Sequence, residues 1–229
     1  MKKVVIILLF ILVFSACGIL GYQLANRMNP AQPQASSAGS GRVGQGEQHN
    51  LVIIQVDQLD SLQPHLISVW YASLYFLEDK PPTLTFGQLY PMRANQATNQ
   101  SIGKSFALDS HGEPSAGFWR NLETFKIKWE GYLLVDNVAM QRVLEWINGP
   151  GDYVSILGSG PDGSDQRNQL ADQSCQKIAG IDQRQGPSLE WGDLIPAHFH
   201  SNLRMEDALA YWDRVKSARD ARCEILPAR

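Results

Sequence analysis

An α/β fold is what this sequence predicts: an α/β/α sandwich with a mixed central sheet, preceded by one N-terminal transmembrane helix. Two observations within the domain lead there. Three short runs rich in β-branched and aromatic residues, bounded by turn residues, fall between positions 51 and 90. A fourth run, Gly131 to Asp136, feeds directly into an amphipathic helix with its own cap and stop signals, and most of the chain beyond it reads as helices and turns. Early strands followed by strand-helix alternation make a mixed sheet covered by helices.

The chain opens on a membrane signal. No charged residue occurs between Lys3 and Arg27, and Val4 to Leu24 reads VVIILLFILVFSACGILGYQL. At about 1.5 Å per helical residue, such a run crosses the roughly 30 Å hydrocarbon core. Lys2 and Lys3 keep the short N-terminus cytoplasmic, although Arg27 reduces the asymmetry. A lipoprotein signal is the other reading, because Phe14-Ser15-Ala16-Cys17 sets small residues before a cysteine. Either way residues 1–25 are an anchor, the membrane is a partner through residues 4–24, and the domain stands on the extracytoplasmic face.

Residues 26–50, NRMNPAQPQASSAGSGRVGQGEQHN, hold almost no large apolar group and cannot offset their ordering entropy by burial, so they read as a flexible linker. That leaves 51–229 as one domain of ordinary size. With 44% apolar residues the composition is globular, and the net charge of −3, with two of the 20 basic residues at the membrane end, excludes a phosphate-backbone binder. Nucleic acid is not a partner.

Within the domain, Leu51 to Val56 and Ile67 to Leu77 read as strands, and Thr83 to Tyr90 as a third that pairs with the second in a hairpin. Pro81-Pro82 ends the connection and Pro91 closes the strand. Helical spacing follows over Ser101 to Leu108 and Ser115 to Phe125, where Phe118, Leu122 and Phe125 make one apolar stripe behind Pro114. The run Gly131 to Asp136 is a buried strand. Val138 to Asn148 is the helix after it, with Met140, Val143, Leu144 and Ile147 on its core face, Asp136 or Asn137 as cap, and Gly149-Pro150 as stop. After Tyr153 to Leu157, the stretch GSGPDGSD is a turn-rich loop, and helices are expected over Gln166 to Ile178, Leu189 to Ile195 and Glu206 to Arg219.

The order of elements, together with LVIIQVD, with VWYASLYF followed by TLTFGQLYP, and with KIKWEGYLLVDNVAMQRVLEWINGPGDY, resembles the LytR-CpsA-Psr family of envelope proteins over most of residues 51 to 215. The closing QLADQSCQKIAGI and LEWGDLIPAHFHSNLRMEDALAYW resemble its terminal helices. The resemblance implies an extracytoplasmic domain behind one membrane span. It also implies transfer of glycopolymers from a polyprenyl pyrophosphate carrier to peptidoglycan, by arginines around the pyrophosphate and carboxylates that hold a divalent ion.

Departures from the family pattern fall on those charges. Asp57 stands at the end of the opening strand, but no Asp-Ser-Arg follows it. Pro91 is followed by Met92-Arg93 instead of Arg-Asp, and the later arginine motifs fall on VSILGSGPDGSDQRNQ, where Arg167 is the candidate. A clamp with displaced arginines holds pyrophosphate poorly, since uncompensated phosphate charge in a low-dielectric pocket is costly. Two functions stay open on the sequence. One is a non-catalytic binding or scaffold protein of the envelope, needing no cofactor. The other is a divergent glycopolymer phosphotransferase using Asp57, Arg93 and Arg167, with Mg²⁺. A polyprenyl-linked lipid or an envelope glycopolymer is the partner implied in both.

Other signals have simpler explanations. His198-x-His200 lacks further ligands at metal spacing. Asp109-Ser110-His111 is a loop rather than a relay, and Gly158 to Gly163 lacks the Lys and Ser/Thr of a phosphate cradle. Trp129 and Trp146 read as core, while Trp70 and Trp212 are open between core and a sugar-stacking surface. Cys175 and Cys223 are expected to bridge if the tail beyond Arg219 folds back on the helix holding Cys175, with free thiols as the alternative.

Overall fold

A computed structural model describes residues 46–61, 63–77, 80–93, 95–158, 161–178, 189–217 and 221–226. The expected anchor over 4–24, with Cys17, and most of the expected linker lie outside the described residues; no described helix is long and apolar enough to cross a membrane.

The fold is mixed α/β, a six-stranded mixed sheet with seven α-helices among the described residues. The strands are β1 (Glu47–Val56), β2 (Leu66–Leu77), β3 (Lys80–Tyr90), β4 (Gly131–Val135), β5 (Phe199–Ser201) and β6 (Arg222–Leu226). The helices are α1 (Gln96–Ser105), α2 (Ala116–Glu123), α3 (Asn137–Asn148), α4 (Tyr153–Leu157), α5 (Ser164–Ile178), α6 (Trp191–Leu194) and α7 (Met205–Ser217). Across the sheet the order is β5-β4-β1-β2-β3-β6. The expected hairpin is present as antiparallel β2 and β3, β1 is antiparallel to β2, and the later strands β4 and β6 add parallel to β1 and β3.

Alternation along β1 sorts the core into two faces. Val52, Ile54 and Val56 are fully buried against Ile102 of α1 and Phe118 and Leu122 of α2. Leu51 faces the other way, in a cluster with Ala72, Leu74 and Leu84 of the sheet and Val215 of α7. Each such side chain contributes about 1.5–3 kcal/mol by leaving water. The strand-helix unit at 131–148 forms as its signals predict: the Asp136 side chain accepts from the amide of Ala139, and Gly149 stops the helix at a φ of 93°.

Several boundaries move. Strand β1 begins at Glu47, inside the expected linker. Pro81 and Pro82 lie within β3 rather than before it; they precede Thr83, where pairing with β6 starts, so no ladder bond to that neighbour is lost. Helix α1 starts at Gln96, five residues ahead of the expected Ser101, because Asn95 caps it by accepting from Thr98. Its first turn, QATN, has no apolar stripe to announce it. The expected loop GSGPDGSD ends in a 3-10 turn, Pro161–Gly163, that runs into α5 at Ser164. The expected helix over 189–195 shortens to the four residues of α6, and the expected helix 206–219 is described as Met205–Ser217.

Two strands were not expected, and they are the two edges of the sheet. β5 is three residues long, and β6 is the returning tail that carries Cys223. That tail reaches Cys175 of α5 by joining the sheet beside β3, and the two cysteines form a disulfide with Cα atoms 5.4 Å apart, inside the range a bridge allows.

Candidate functional site

β1, β3 and β4 run parallel to one another, so their C-terminal ends share one edge of the sheet. In open α/β sheets this edge is where ligands bind. All three candidates from the sequence sit there, in different states. Asp57 follows β1 and uses its carboxylate to close the turn into β2: Oδ1 accepts from the amides of Gln58 at 2.8 Å and His65 at 2.7 Å. Arg93 follows β3, lies largely exposed, and pairs with Asp165 of α5 at 3.0 Å. Arg167, one turn beyond Ser164 on α5, is completely buried, and burial pushes its guanidinium pKa below the usual range.

Thus Arg93 and Arg167 are brought to the same end of α5, while Asp57 is committed to local structure. The divalent ion implied by the resemblance finds no preformed cluster of ligands among the described residues. Asp57 already carries two amides on one oxygen, and the described residues contain no group of three or more His, Cys, Asp or Glu arranged for a metal. His198 and His200 part company: His200 Nδ1 meets the Gly112 carbonyl at 3.2 Å, and His198 Nδ1 lies 2.7 Å from Asp136 Oδ2.

The Asp136–His198 pair escaped sequence reasoning. Asp136 is buried, with Oδ1 on the Ala139 amide and Oδ2 on His198, and its backbone amide bonds the His198 carbonyl. The pair extends the β4–β5 ladder by one rung, so only the antiparallel pairing of two segments 62 residues apart brings it together.

The larger feature is a cavity of about 340 Å³ between the second face of the sheet and α3, α5 and α7, with an almost entirely apolar wall. Its floor includes Leu51 and Ile53 of β1, Trp70 and Ala72 of β2, and Leu84 and Phe86 of β3. Trp146 of α3 and Trp212 of α7, with ring centroids 5.5 Å apart, are part of the wall. The tryptophans left open by the sequence therefore line this cavity, as does Trp146, while Trp129 packs partly buried on the opposite face.

Along β1 the row Leu51, Ile53, Gln55 runs from that apolar floor to a buried amide at the C-terminal edge. Gln55 accepts from Ser68 Oγ and donates to Asn137 Oδ1, both at 2.9 Å. An apolar space of this kind suits an apolar chain.

On the opposite face Tyr132 is 5% exposed, and its hydroxyl has no hydrogen-bond partner among the described residues. Burial, helped by Glu113 and Asp109, pushes its pKa up to about 12. The neutral form is therefore the folded form. The stability it confers is complete below pH 10 and is lost as pH rises through 10 toward about 12. Tyr132→Phe is expected to hold or gain about 1 kcal/mol at pH 7, since it removes a polar group buried without a partner, and to flatten alkaline unfolding between pH 10 and 12. Urea titrations at pH 8 and pH 11 check both, and equal pH dependence in the two proteins contradicts the assignment.

No family model matches the sequence, and no curated protein matches it. Solved structures do resemble the fold. The Bacillus subtilis protein ywtF, assigned as a candidate transcriptional regulator, is 12% identical with a TM-score of 0.50 over 85% of this chain and 83% of its own. TagT bound to LI-WTA is 11% identical with a TM-score of 0.48 over 81% of each chain. TagV of B. subtilis is 11% identical with a TM-score of 0.47 over 80% of this chain and 86% of its own. At the identity of ywtF the likeness is one of fold, and it extends over most of both chains.

Proposed function

We propose that this chain is a LytR-CpsA-Psr-like protein of the cell envelope, with an α/β/α sandwich anchored outside the membrane through residues 4–24. It holds the apolar tail of a polyprenyl-linked lipid and acts as a binding or scaffold member. One observation carries the reading, the apolar cavity of about 340 Å³ between sheet and helices. A soluble domain ordinarily fills such a space with its own side chains, because each missing contact weakens the core. The resemblance in sequence supplies the envelope setting, and the likeness to ywtF supports the fold alone.

A divergent phosphotransferase is the second reading, and one observation favours it: the Arg93–Asp165 pair brings a second arginine to the turn of α5 that carries Arg167. In that reading Asp57, Arg93 and Arg167 hold the pyrophosphate. The binding reading is preferred because Arg93 points its charge at a carboxylate in solvent and Asp57 closes a turn.

Farnesyl pyrophosphate, a short polyprenyl pyrophosphate, tests the reading through thermal unfolding of the full chain. The wild type is expected to melt higher with the ligand, by the RT ln(1 + [L]/Kd) of a molecule that binds only the folded state. Ala171→Phe, which places a ring from α5 into the cavity, is expected to abolish at least nine-tenths of that shift. Absence of a shift in the wild type, or an unchanged shift in the variant, defeats the proposal. Release of phosphate that requires both Mg²⁺ and Arg93 moves the choice to the phosphotransferase.

A further inference from the structure

Two histidines stand on one face of the edge strand β5 and its extension. β5 pairs with β4 alone among the described residues, and the bond from the Asp136 amide to the His198 carbonyl carries the ladder one rung past Phe199. Side chains alternate along such a segment, and residues two apart on it are separated by about 7 Å of backbone. Phe199 turns to the cavity. His198 and His200 therefore share the other face, where the His200 ring lies across Tyr132 at 6.3 Å between centroids.

What holds each Nδ1 decides what each ring can do. His200 Nδ1 lies 3.2 Å from the Gly112 carbonyl, and a carbonyl only accepts, so this nitrogen carries the proton. His198 Nδ1 lies 2.7 Å from Oδ2 of buried Asp136, whose other oxygen accepts from the Ala139 amide. A carboxylate there accepts as well. Each neutral imidazole thus keeps its lone pair on Nε2, and among the described residues no hydrogen bond takes it up. Neither Nε2 is sealed inside as the Tyr132 hydroxyl is, and the His198 side chain is 33% exposed.

Both rings are therefore oriented from behind, one by a carboxylate and one by a backbone carbonyl, the two groups that ordinarily orient metal-ligating histidines. Negative charge stands beside them. Asp109, held below the usual carboxylate range by the amides of Glu113 and His111, is close enough to His200 to feel its charge.

We propose that His198 and His200 form a two-histidine site for a divalent transition ion, Cu²⁺ before Ni²⁺ and Zn²⁺, bound through both Nε2 atoms. Imidazole nitrogen suits these ions, and the order follows their general affinity for nitrogen donors, whereas Mg²⁺ prefers oxygen. With two protein ligands rather than three, the remaining positions belong to water. The spacing His198-x-His200 by itself shows only that two ligands are near; the structure adds that both are held by Nδ1 with Nε2 free. The site faces away from the cavity and does not involve Asp57, Arg93 or Arg167, so it stands apart from the lipid-binding function proposed above.

Calorimetric titration of Cu²⁺ into the full chain in lipid nanodiscs, in a buffer that does not bind copper, tests the site. His198→Gln and His200→Gln are each expected to weaken binding of one equivalent by more than about tenfold, the least that loss of an outer partner of a ligand costs. His49→Gln, at the other end of the sheet, is expected to leave it unchanged. Mg²⁺ is expected not to displace the copper. Pulsed EPR of the wild-type complex at one equivalent counts coordinated imidazoles without needing any variant to fold, and two are expected. Absence of binding, a count other than two, binding that survives either substitution at 198 or 200, equal loss in His49→Gln, or displacement by Mg²⁺ overturns the proposal.

Discussion

Phe118→Ala is expected to cost about 3–5 kcal/mol, the range for truncating a fully buried phenylalanine. Phe118 is 0% exposed and stands where α2 meets Val52, Ile54 and Val56 of β1. It also makes edge-to-face contacts with Phe106, at 5.2 Å between centroids, and Trp119, at 5.4 Å, each adding about 0.5–1.5 kcal/mol beyond burial. A domain with total stability of about 5–15 kcal/mol loses a large share of it at this one position. Because α2 lies on the face away from the cavity, farnesyl pyrophosphate affinity is expected to stay within twofold under conditions where the variant is folded. Urea unfolding gives the stability, and a loss below 1 kcal/mol contradicts the packing described.

Breaking the Cys175–Cys223 bridge is expected to lower stability by a comparable amount. The bridge closes a loop of 48 residues, which in the chain-entropy model contributes about 4 kcal/mol by restricting the unfolded ensemble. For a domain of this size that corresponds to a fall of about 10 °C in melting temperature. The loss should appear in the global unfolding transition, because the bridge acts through the unfolded ensemble. Melting in the presence and absence of dithiothreitol measures it. A change under 1 °C indicates that the bridge adds nothing to the folded state's advantage.

The two effects differ in how far the sequence announced them. The stripe Phe118, Leu122, Phe125 and the unit from Gly131 to Gly149 were legible because their signals are local. Periodicity, a cap and a stop lie within one or two turns of one another, and the structure keeps Phe118 and Leu122 buried and Asp136 as the cap of α3. The central strands were legible for the same reason. Boundaries were missed where the local signal was polar, as at Asn95, or negative, as at Pro81 and Pro82, whose cost depends on whether a neighbouring strand needs their amides.

The candidate site was legible only in its residue types. Arg93 and Arg167 were singled out by alignment to a family pattern, but their states diverge, one in solvent against Asp165 and the other fully buried. Burial is a property of the assembled layers, and no window of sequence around Arg167 contains it. The Asp136–His198 pair shows the same limit, since its members meet through a ladder between distant segments.

The sequence by itself determined the α/β class, the order of the early strands and the strand-helix unit, and it left the Cys175–Cys223 bridge open until the tail was seen to join the sheet. Tertiary structure alone decided the two edge strands, the cavity and the contents of its walls. The physical reason is the range of the forces involved. Caps, turns and amphipathic stripes are set by neighbours a few residues away. A three-residue strand such as β5 or an empty volume beneath α5 exists only once distant elements have packed and fixed how far the helices stand from the sheet.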